Sequence, residues 1–479
     1  MAKGSKETVV LITTLAISIG LIGGGFLLLR RNLNNNNLGT LTRPNQPASN
    51  QPTHIGTQIS TGERVLFTEN ISAAKQTGSV AIASGNYDNA ITQLETSLTQ
   101  NRNDPEALVY LNNARAKQSG NTLKIAASLP ISSNPDAAKE ILRGIAHAQT
   151  QVNQTGGING ALLEVAIADD ANQAQLAQEI ANELVKDPEV LAVVGSFGSS
   201  TTIAAAKVYQ SAGLVQISPT STATALSTVG DYIFRTVPSD LFAANFLADY
   251  AIDDLQVRKV AVFYNSQSDY SKSLKNEFTK ELVSDGGQIA AEFDLVAGDF
   301  SAENALQQAQ RNGAEAVFLA ANSATLKPAF EVMAINRQNL PLLGGDSLYR
   351  RDTLVFGGEN AVGMVLAVPW HILANPNADF PAAAAQLWGG DVNWRTAMAY
   401  DATAAIAAAL SKDPSRFGIK QALASGEILT QGTDADIYFQ PSGDRSRAPI
   451  LVEVVKAPAS NPNGRSGTGY DFAPVGSGN

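Results

Sequence analysis

Two hydroxyl-rich stretches of this chain lie where they could hold an anion. Ser199 and Ser200 begin a run of four hydroxyl residues in "VVGSFGSSTT", just after the apolar run Val190–Val194. A second hydroxyl-rich run, 218–222 in "ISPTSTATAL", follows the next apolar stretch. Hydroxyls and the free N–H groups of a helix N-terminus donate hydrogen bonds to anions. Neither GxxxxGK[ST] nor GxGxxG occurs, so the pattern favours a carboxylate over a phosphate; the alternative is that these residues only cap helices.

The complementary charge lies at other strand ends. In "LPLLGGDSLYR" the apolar run ends at Gly344–Gly345 and places Asp346 at its tip. In "NSQSDYSKSL", Tyr270 stands at another strand-to-helix junction. A carboxylate such as that of Asp346 accepts hydrogen bonds from an ammonium group. Hydroxyls on one side and Asp346 on the other therefore predict a clamp for a small zwitterion.

Composition excludes several other kinds of chemistry. The 479-residue chain has no cysteine, which rules out disulfides, thiolate metal sites and cysteine nucleophiles. Its three histidines, His54, His147 and His371, lie outside any metal-ligand spacing, and no motif links them to the serines as a base. The net charge of −10 gives no basic surface for nucleic acid. We therefore expect no cofactor and no metal, and an enzyme is the weakest interpretation.

The elements that must position these residues alternate between strand and helix. From residue 122 to 456, short Val/Ile/Leu/Ala runs alternate with amphipathic stretches of helical length. This pattern is typical of parallel sheets with helical crossovers, in which ligands bind beyond the carboxyl ends of the strands. Nine such strands predict an α/β domain of two lobes, lobe 1 at about 122–237 and 372–437, and lobe 2 at about 238–371 and 438–456.

The regions outside this domain differ in composition. Val9–Leu29 is uncharged and long enough to span a bilayer, and two arginines follow it, which predicts an uncleaved transmembrane anchor. Positive charge flanks both of its ends, so charge alone does not give its orientation. The Asn- and Pro-rich stretch 32–60 is predicted to be a disordered linker, and 457–479 a disordered tail.

A short all-α segment is predicted between the linker and the lobes. Residues 71–118 resemble tetratricopeptide repeats, since one 34-residue unit and half of a second fit the spacing. The matching positions are Gly78, Gly85, Tyr87, Ala90 and Leu98. About three units are normally needed to close a core. The segment must therefore dock on the lobes, on a second copy or on a partner; the alternative is an ordinary helical hairpin.

The combination of motifs from Thr122 to Lys456 resembles the type I periplasmic binding proteins of the leucine/isoleucine/valine-binding branch, the substrate-binding proteins of ABC transporters. The matching stretches are "GGING", "DDANQAQLAQEIANELV", "VVGSFGSSTT", "ISPTSTATAL", "FRTVPSD" and "GGDS". The resemblance implies a two-lobed fold that closes on its ligand.

The resemblance also implies roles for individual residues. Serine and threonine at the two hydroxyl-rich turns bind the ligand's α-carboxylate in that family, which implies this role for Ser199, Ser221 and Thr222. The acidic residue after the Gly-rich strand end binds the α-ammonium, which implies Asp346, and a tyrosine contact implies Tyr270. The candidate ligand-binding residues are Ser199, Ser200, Ser221, Thr222, Tyr270 and Asp346.

Two departures from the family pattern affect the predicted side-chain pocket. The loop 128–140, "SLPISSNPDAAKE", has no aromatic residue, and Asn322–Ser323 stand where branched-chain binders often have tyrosines. The head-group site is thus predicted to be retained and the side-chain pocket to differ. Phe197, Tyr349 and Trp370 are the candidate walls.

Two functions follow from this organisation. The first is a single-pass protein of the inner (plasma) membrane that captures an amino acid or similar small zwitterion on the periplasmic side, for an ABC transporter or a sensor. The second is an interaction protein, because activators of peptidoglycan-synthesising enzymes also join a tetratricopeptide-like region to this fold and regulate cell-envelope synthesis by protein contact.

Overall fold

The computed structural model describes residues 55–476. The predicted anchor Val9–Leu29, most of the predicted linker and residues 477–479 lie outside this range. Within it, no helix is long and apolar enough to cross a lipid bilayer. Two large sheets organise the chain.

Lobe 1 is built on a six-stranded sheet with the order β1-β3-β2-β4-β5-β6. All of its neighbouring strands run parallel except β1, which pairs antiparallel with β3. The strands are β1 (Ile59–Ser60), β2 (Thr122–Leu129), β3 (Leu162–Asp169), β4 (Val190–Val194), β5 (Val215–Ser218) and β6 (Ile233–Arg235). The central strands are buried on both faces, which explains their continuous apolar runs.

Lobe 2 is built on a seven-stranded sheet with the order β15-β14-β11-β10-β9-β7-β8. Its first five strands in the chain are parallel, and β14 and β15 are added antiparallel at one edge. The strands are β7 (Lys259–Tyr264), β8 (Gln288–Asp294), β9 (Ala316–Ala320), β10 (Leu342–Gly344), β11 (Val365–Val368), β14 (Ile450–Lys456) and β15 (Tyr470–Pro474). A small hairpin joins β12 (Thr430–Gln431) to β13 (Asp436–Ile437).

Thirteen α-helices are present in the described range. The helices are α1 (Ala73–Ala83), α2 (Tyr87–Gln100), α3 (Pro105–Ser119), α4 (Pro135–Gln154), α5 (Ala174–Lys186), α6 (Ser199–Ala212), α7 (Asp240–Asp249), α8 (Asp269–Ser284), α9 (Ala302–Arg311), α10 (Leu326–Asn336), α11 (Phe380–Trp388), α12 (Trp394–Lys412) and α13 (Arg416–Leu423). The late helix α12 returns to lobe 1, where it packs along α4. The chain therefore crosses between the two sheets more than once.

The predicted all-α segment docks on lobe 1. Helices α1, α2 and α3 pack in succession, and α3 in turn packs against α4 and β3. The Asn113 side chain on α3 is fully buried, accepts a hydrogen bond from Val165 N (2.9 Å) and donates one to Val165 O (2.8 Å). The segment thus provides hydrogen-bond partners for backbone groups at the outer edge of β3, as a neighbouring strand would. Its likeness to tetratricopeptide repeats stays a prediction.

A buried group of charges joins this segment to the chain before it. The Lys75 ammonium lies 2.8 Å from the Asp104 carboxylate and 2.6 Å from that of Glu106. Glu106 also accepts a hydrogen bond from Leu66 N (2.6 Å) and one from the Tyr110 hydroxyl (3.0 Å). Burying these charges is tolerable because each has partners.

Two expectations of disorder are wrong in part. The predicted linker 32–60 includes β1, whose Ile59 and Ser60 pair with β3. The predicted tail 457–479 includes β15, which pairs with β14, and its Phe472 ring stacks on Tyr349 with a centroid distance of 4.3 Å. Both strands are short and their apolar residues few, so sequence pattern alone does not reveal them; the open sheet edge beside each one stabilises it.

Candidate functional site

A cavity of about 210 Å³ lies between residues of the two lobes, at the carboxyl ends of their strands. Four of the six predicted site residues line it, namely Ser199, Ser200, Tyr270 and Asp346. The strand order places β4 and β5 of lobe 1, and β7 and β10 of lobe 2, inside their sheets, with a strand on either side of each. The cavity therefore occupies the position that parallel sheets favour for ligands.

The lobe 1 wall is formed by the first turn of α6. Gly198 is its N-cap and provides no side-chain hydrogen bond, so the N–H groups of this turn are left for other acceptors. The Ser199 hydroxyl is buried and accepts a hydrogen bond from Ala223 N (3.3 Å), which leaves its proton available. A helix N-terminus carries positive partial charge, so this wall suits a carboxylate.

Ser221 and Thr222 do not line the cavity. Ser221 is buried, and its hydroxyl lies 2.6 Å from that of Thr202. Thr222 lines a separate cavity of about 10 Å³, which shares Tyr270 and Asp346 with the larger one. In their place, Thr220 from the same turn contributes to the wall.

The lobe 2 wall carries the acid. Asp346 follows β10 and is buried, and the Tyr270 hydroxyl donates a hydrogen bond of 2.7 Å to its carboxylate. Burial raises the pKa of Asp346 to about 6, while the Tyr270 hydrogen bond and the nearby Arg395 charge oppose the rise. An ammonium group at this position would stabilise the ionised form of Asp346.

The sequence interpretation missed two cavity residues at the start of α12. Trp394 and Arg395 both line the cavity and are almost completely buried. The Arg395 guanidinium lies over the Trp394 ring, 4.4 Å from its centroid, and its Nη1 is 3.1 Å from a carboxylate oxygen of Glu140. An arginine in the first turn of a helix opposes the helix dipole, and this is the sequence signal that could have revealed the residue.

The two departures from the family pattern meet in the structure. Asn322 and Ser323 line the cavity. Asn134, in the departing loop of lobe 1, donates a 3.4 Å hydrogen bond to the Ser323 hydroxyl of lobe 2. Of the three candidate walls, only Phe197 lines the cavity. Tyr349 instead lines a neighbouring cavity with Phe472, and Trp370 is buried in the core.

Further contacts hold the lobes together around the cavity. Asp269 N of lobe 2 donates a hydrogen bond of 3.2 Å to the Ser200 hydroxyl of lobe 1. Thr224 N of lobe 1 donates one of 3.0 Å to the Ser273 hydroxyl of lobe 2. The structure thus shows the lobes in contact at the first turn of α6 and at Thr224, as in a closed cleft.

Comparison with known proteins identifies the family. The family model described as "Periplasmic binding protein" matches residues 122–457, more than half of the chain. The chain belongs to the periplasmic binding protein family. The resemblance seen in the sequence is therefore confirmed at this level, and a member of this family is a binding protein rather than an enzyme.

Individual relatives of this periplasmic binding protein cover parts of it. An "Amino acid binding protein" of Pseudomonas aeruginosa is 31% identical over 186 residues, 39% of this chain and 50% of that relative. A "Leucine-, isoleucine-, valine-, threonine-, and alanine-binding protein" of the same organism is 26% identical over 258 residues, 53% of this chain and 69% of that relative. The chain thus spans half to about two thirds of these relatives' lengths.

Solved structures show the same fold. A substrate-binding protein of an ABC transporter from Desulfitobacterium hafniense, in complex with Leu, has a TM-score of 0.63 at 23% identity, and the match covers 74% of this chain and all of that one. The branched-chain amino acid transporter substrate-binding protein LivJ from Streptococcus pneumoniae, in complex with isoleucine, also gives 0.63, at 22% identity and 74% coverage of this chain. The periplasmic binding protein thus has the two-lobed type I fold.

Proposed function

We propose that this periplasmic binding protein captures an amino acid, or a similar small zwitterion, between its lobes and presents it to an ABC transporter. One observation carries the proposal: a buried carboxylate, Asp346, shares a 210 Å³ cavity with the hydroxyls and free N–H groups at the start of α6. An acid on one wall and donors on the other match the two charges of an amino acid head group.

The proposed head-group contacts follow from charge. The α-carboxylate accepts hydrogen bonds from the first turn of α6 and from the Ser199 and Ser200 hydroxyls. The α-ammonium donates to Asp346, which Tyr270 holds in place through its 2.7 Å hydrogen bond. Hydrogen bonds to charged groups contribute about 1.5–3 kcal/mol each, and a few of them suffice for micromolar affinity.

The names of the relatives support the amino acid class. Two curated relatives are named for amino acid binding, and two structures of the same fold hold leucine and isoleucine.

We further propose that Val9–Leu29 anchors the protein in the plasma membrane with the lobes on the periplasmic side, because its 21 uncharged residues match the bilayer core.

The alternative role, as a regulator of cell-envelope synthesis, assumed that the helical segment 71–118 needs a protein partner on which to pack. In the structure, α3 of that segment packs on lobe 1, and its Asn113 is committed to β3. This packing supplies the partner that the segment required and favours the solute-binding role.

A ligand screen tests the proposal. Residues 55–479 are used, because α1–α3 pack on lobe 1. Melting temperature is recorded with each of the twenty amino acids, and calorimetry then gives the Kd of each one that raises it. We expect at least one amino acid to raise the melting temperature, and its N-acetylated and its amidated derivatives to lose this effect. If no amino acid raises it, amino acid binding is contradicted, and if other small zwitterions such as glycine betaine also fail to raise it, the whole proposal fails.

A further inference from the structure

A second cavity, of about 290 Å³, lies next to the cavity that contains Asp346, here called the head-group cavity. Lobe 1 lines it with Glu140 and Arg143 of α4, and lobe 2 lines it with residues of β15 and of the stretch 349–354. Both lobes therefore contribute to a second cavity, to which the proposed function assigns no ligand.

The second cavity carries a surplus of positive charge. Four arginines line it, namely Arg143, Arg350, Arg351 and Arg465. Three carboxylates line it as well, namely Glu140, Asp391 and Asp471. Burial lowers the pKa of His371, which also lines it, to about 4, so this side chain is neutral near pH 7. The cavity thus has one positive charge more than it has negative charges.

The three carboxylates of the second cavity already have partners. Glu140 lies 3.1 Å from Arg395, and Asp391 lies 2.7 Å from Arg465. Asp471 accepts hydrogen bonds from two backbone N–H groups, at 2.9 and 2.8 Å. The carboxylates are therefore committed, and they make no ion pair with the other three arginines of the cavity.

Two of those three arginines have no ion pair to any described residue. Arg350 lies 2.9 Å from the carboxylate of Asp352. Arg143 Nε donates a hydrogen bond of 2.7 Å to the Asn103 side chain, but its Nη groups make none within the described chain and remain accessible. The Arg351 side chain is exposed and has no partner among the described residues. Arg143 and Arg351 are thus available to an anion from outside the chain.

The burial of Arg143 makes an anion beside it favourable. Burial lowers the pKa of this guanidinium, although two nearby carboxylates oppose the change. Guanidinium groups bind carboxylates and phosphates through paired N–H groups. A single surplus charge matches a carboxylate better than a phosphate, which carries up to two charges near neutral pH.

Part of the cavity wall is apolar. Leu354, Val392 and Phe472 line it and are buried, and the Phe472 ring stacks on Tyr349 with a centroid distance of 4.3 Å. Apolar ligand atoms gain about 25 cal/mol per Å² when such a wall removes them from water. The second cavity thus combines free guanidinium groups with apolar surface.

We propose that the second cavity binds a small organic carboxylate, whose charge pairs with Arg143 of lobe 1 and Arg351 of lobe 2 and whose apolar part contacts Phe472. Because the two arginines belong to different lobes, such a ligand stabilises the closed cleft. This site is separate from the head-group cavity, so its occupation does not depend on the function proposed above.

Calorimetry with three probes tests this proposal on residues 55–479. Hexanoate has both the charge and the apolar chain, hexanamide has the chain without the charge, and acetate has the charge without the chain. We expect hexanoate to bind at least about tenfold more tightly than hexanamide, since a hydrogen bond to a charged group contributes about this factor. Hexanoate should also bind more tightly than acetate, because its chain is removed from water.

Arginine variants locate the bound hexanoate. Arg143→Gln and Arg351→Gln should each raise the Kd of hexanoate about tenfold and leave that of hexanamide unchanged. Arg311 is exposed at the end of α9 and does not line the cavity, so Arg311→Gln is the matched control and should have no effect. Because Arg351 is exposed and unpaired in the described chain, its variant keeps the test open if Arg143→Gln does not fold.

Ser199→Ala distinguishes the two cavities. Ser199 lines only the head-group cavity, so its variant should bind hexanoate as wild type does. If Ser199→Ala weakens hexanoate binding and the arginine variants do not, hexanoate occupies the head-group cavity and the proposal is overturned. The proposal is also overturned if hexanoate binds no more tightly than hexanamide, or if Arg311→Gln weakens hexanoate binding as much as the cavity variants do.

Discussion

The two lobes face the cavity with opposite chemistry. Lobe 1 presents donors, which are the α6 N-terminus and the serine hydroxyls. Lobe 2 presents the buried acid Asp346, braced by Tyr270. Neither wall alone complements a zwitterion, so each lobe supplies half of the recognition. In the proposed binding mode, the ligand's carboxylate faces lobe 1 and its ammonium faces lobe 2.

The strongest test of this contrast removes the charge from lobe 2. Asp346→Asn keeps the shape of the side chain but leaves the ligand's ammonium without a counter-charge, and stranding one member of a buried pair costs about 3–5 kcal/mol. We expect the Kd of the best amino acid from the screen to rise at least about a hundredfold. Calorimetry measures this, with circular dichroism to confirm the fold.

An exposed acid of the same lobe is the control for that variant. Asp285 lies at the end of α8, away from the cavity, and Asp285→Asn should leave the Kd unchanged. An unchanged Kd in Asp346→Asn would show that Asp346 does not bind the ligand's ammonium group.

The second test concerns the stability of lobe 1 rather than its ligand contacts. Asn113→Ala leaves both Val165 N and Val165 O without the side chain that pairs with them. Unsatisfied buried groups cost about 1–3 kcal/mol each, so we expect the free energy of unfolding to fall by about 2 kcal/mol or more, as measured by urea denaturation. The exposed neighbour Arg115, whose partner Glu95 is also exposed, gives the control Arg115→Ala with a loss below about 1 kcal/mol. Equal losses in the two variants would show that Asn113 does not support β3.

The third test removes a hydrogen-bond donor from the lobe 1 wall of the cavity. Ser199→Ala removes one hydroxyl that faces the proposed carboxylate, and we expect the Kd to rise about tenfold to a hundredfold. Ser211→Ala changes an exposed serine at the other end of α6, whose hydroxyl only bonds Lys207 O, and should have no effect. If amidating the ligand's carboxylate weakens binding to wild type and to Ser199→Ala by the same factor, the Ser199 hydroxyl does not bind the carboxylate and only makes hydrogen bonds within the protein.

The smallest expected effect is a dependence of affinity on pH. Burial raises the pKa of Asp346 to about 6, so below pH 6 the carboxyl is protonated in the ligand-free protein. The ligand's ammonium must then displace that proton, and the Kd should rise by about tenfold per pH unit as the pH falls below 6. Burial lowers the pKa of His147 and of His371 to about 4, so neither titrates in this range. Burial also raises the pKa of the neighbouring Asp240 to about 7, so it titrates in the same range. Calorimetry from pH 5 to 7.5 checks the slope in wild type and in Asp240→Asn, which should keep the slope below pH 6, whereas Asp346→Asn should abolish it.

The sequence predicted the parts of the site that follow from strand ends. Ser199, Ser200, Tyr270 and Asp346 are each adjacent to a buried strand and to a helix start, and both signals are local. Trp394 was missed because its helix returns to the cavity from far along the chain, and only tertiary packing of α12 on α4 reveals this. Local pattern therefore located the cavity residues at the strand ends but not those at the start of α12.

The sequence pattern also predicted the fold class, but it did not predict the short edge strands β1 and β15. Alternation of apolar runs and amphipathic helices determines the parallel sheets, because strands buried on both faces need continuous apolar runs. Strands β1 and β15 contain two and five residues and are stable only beside β3 and β14. Their pairing depends on the edges that the rest of the fold provides, which no local pattern encodes.

The cover over β3 has a consequence for solubility. An uncovered strand edge offers a row of N–H and C=O groups to which another chain can add. Here β1 pairs with Ala168 and Ile167, and Asn113 occupies Val165 further along the same edge. A version of the protein that begins at residue 122 would expose that edge and should self-associate through lobe 1. Helices α1–α3, together with β1, thus protect this edge of the described sheet against aggregation.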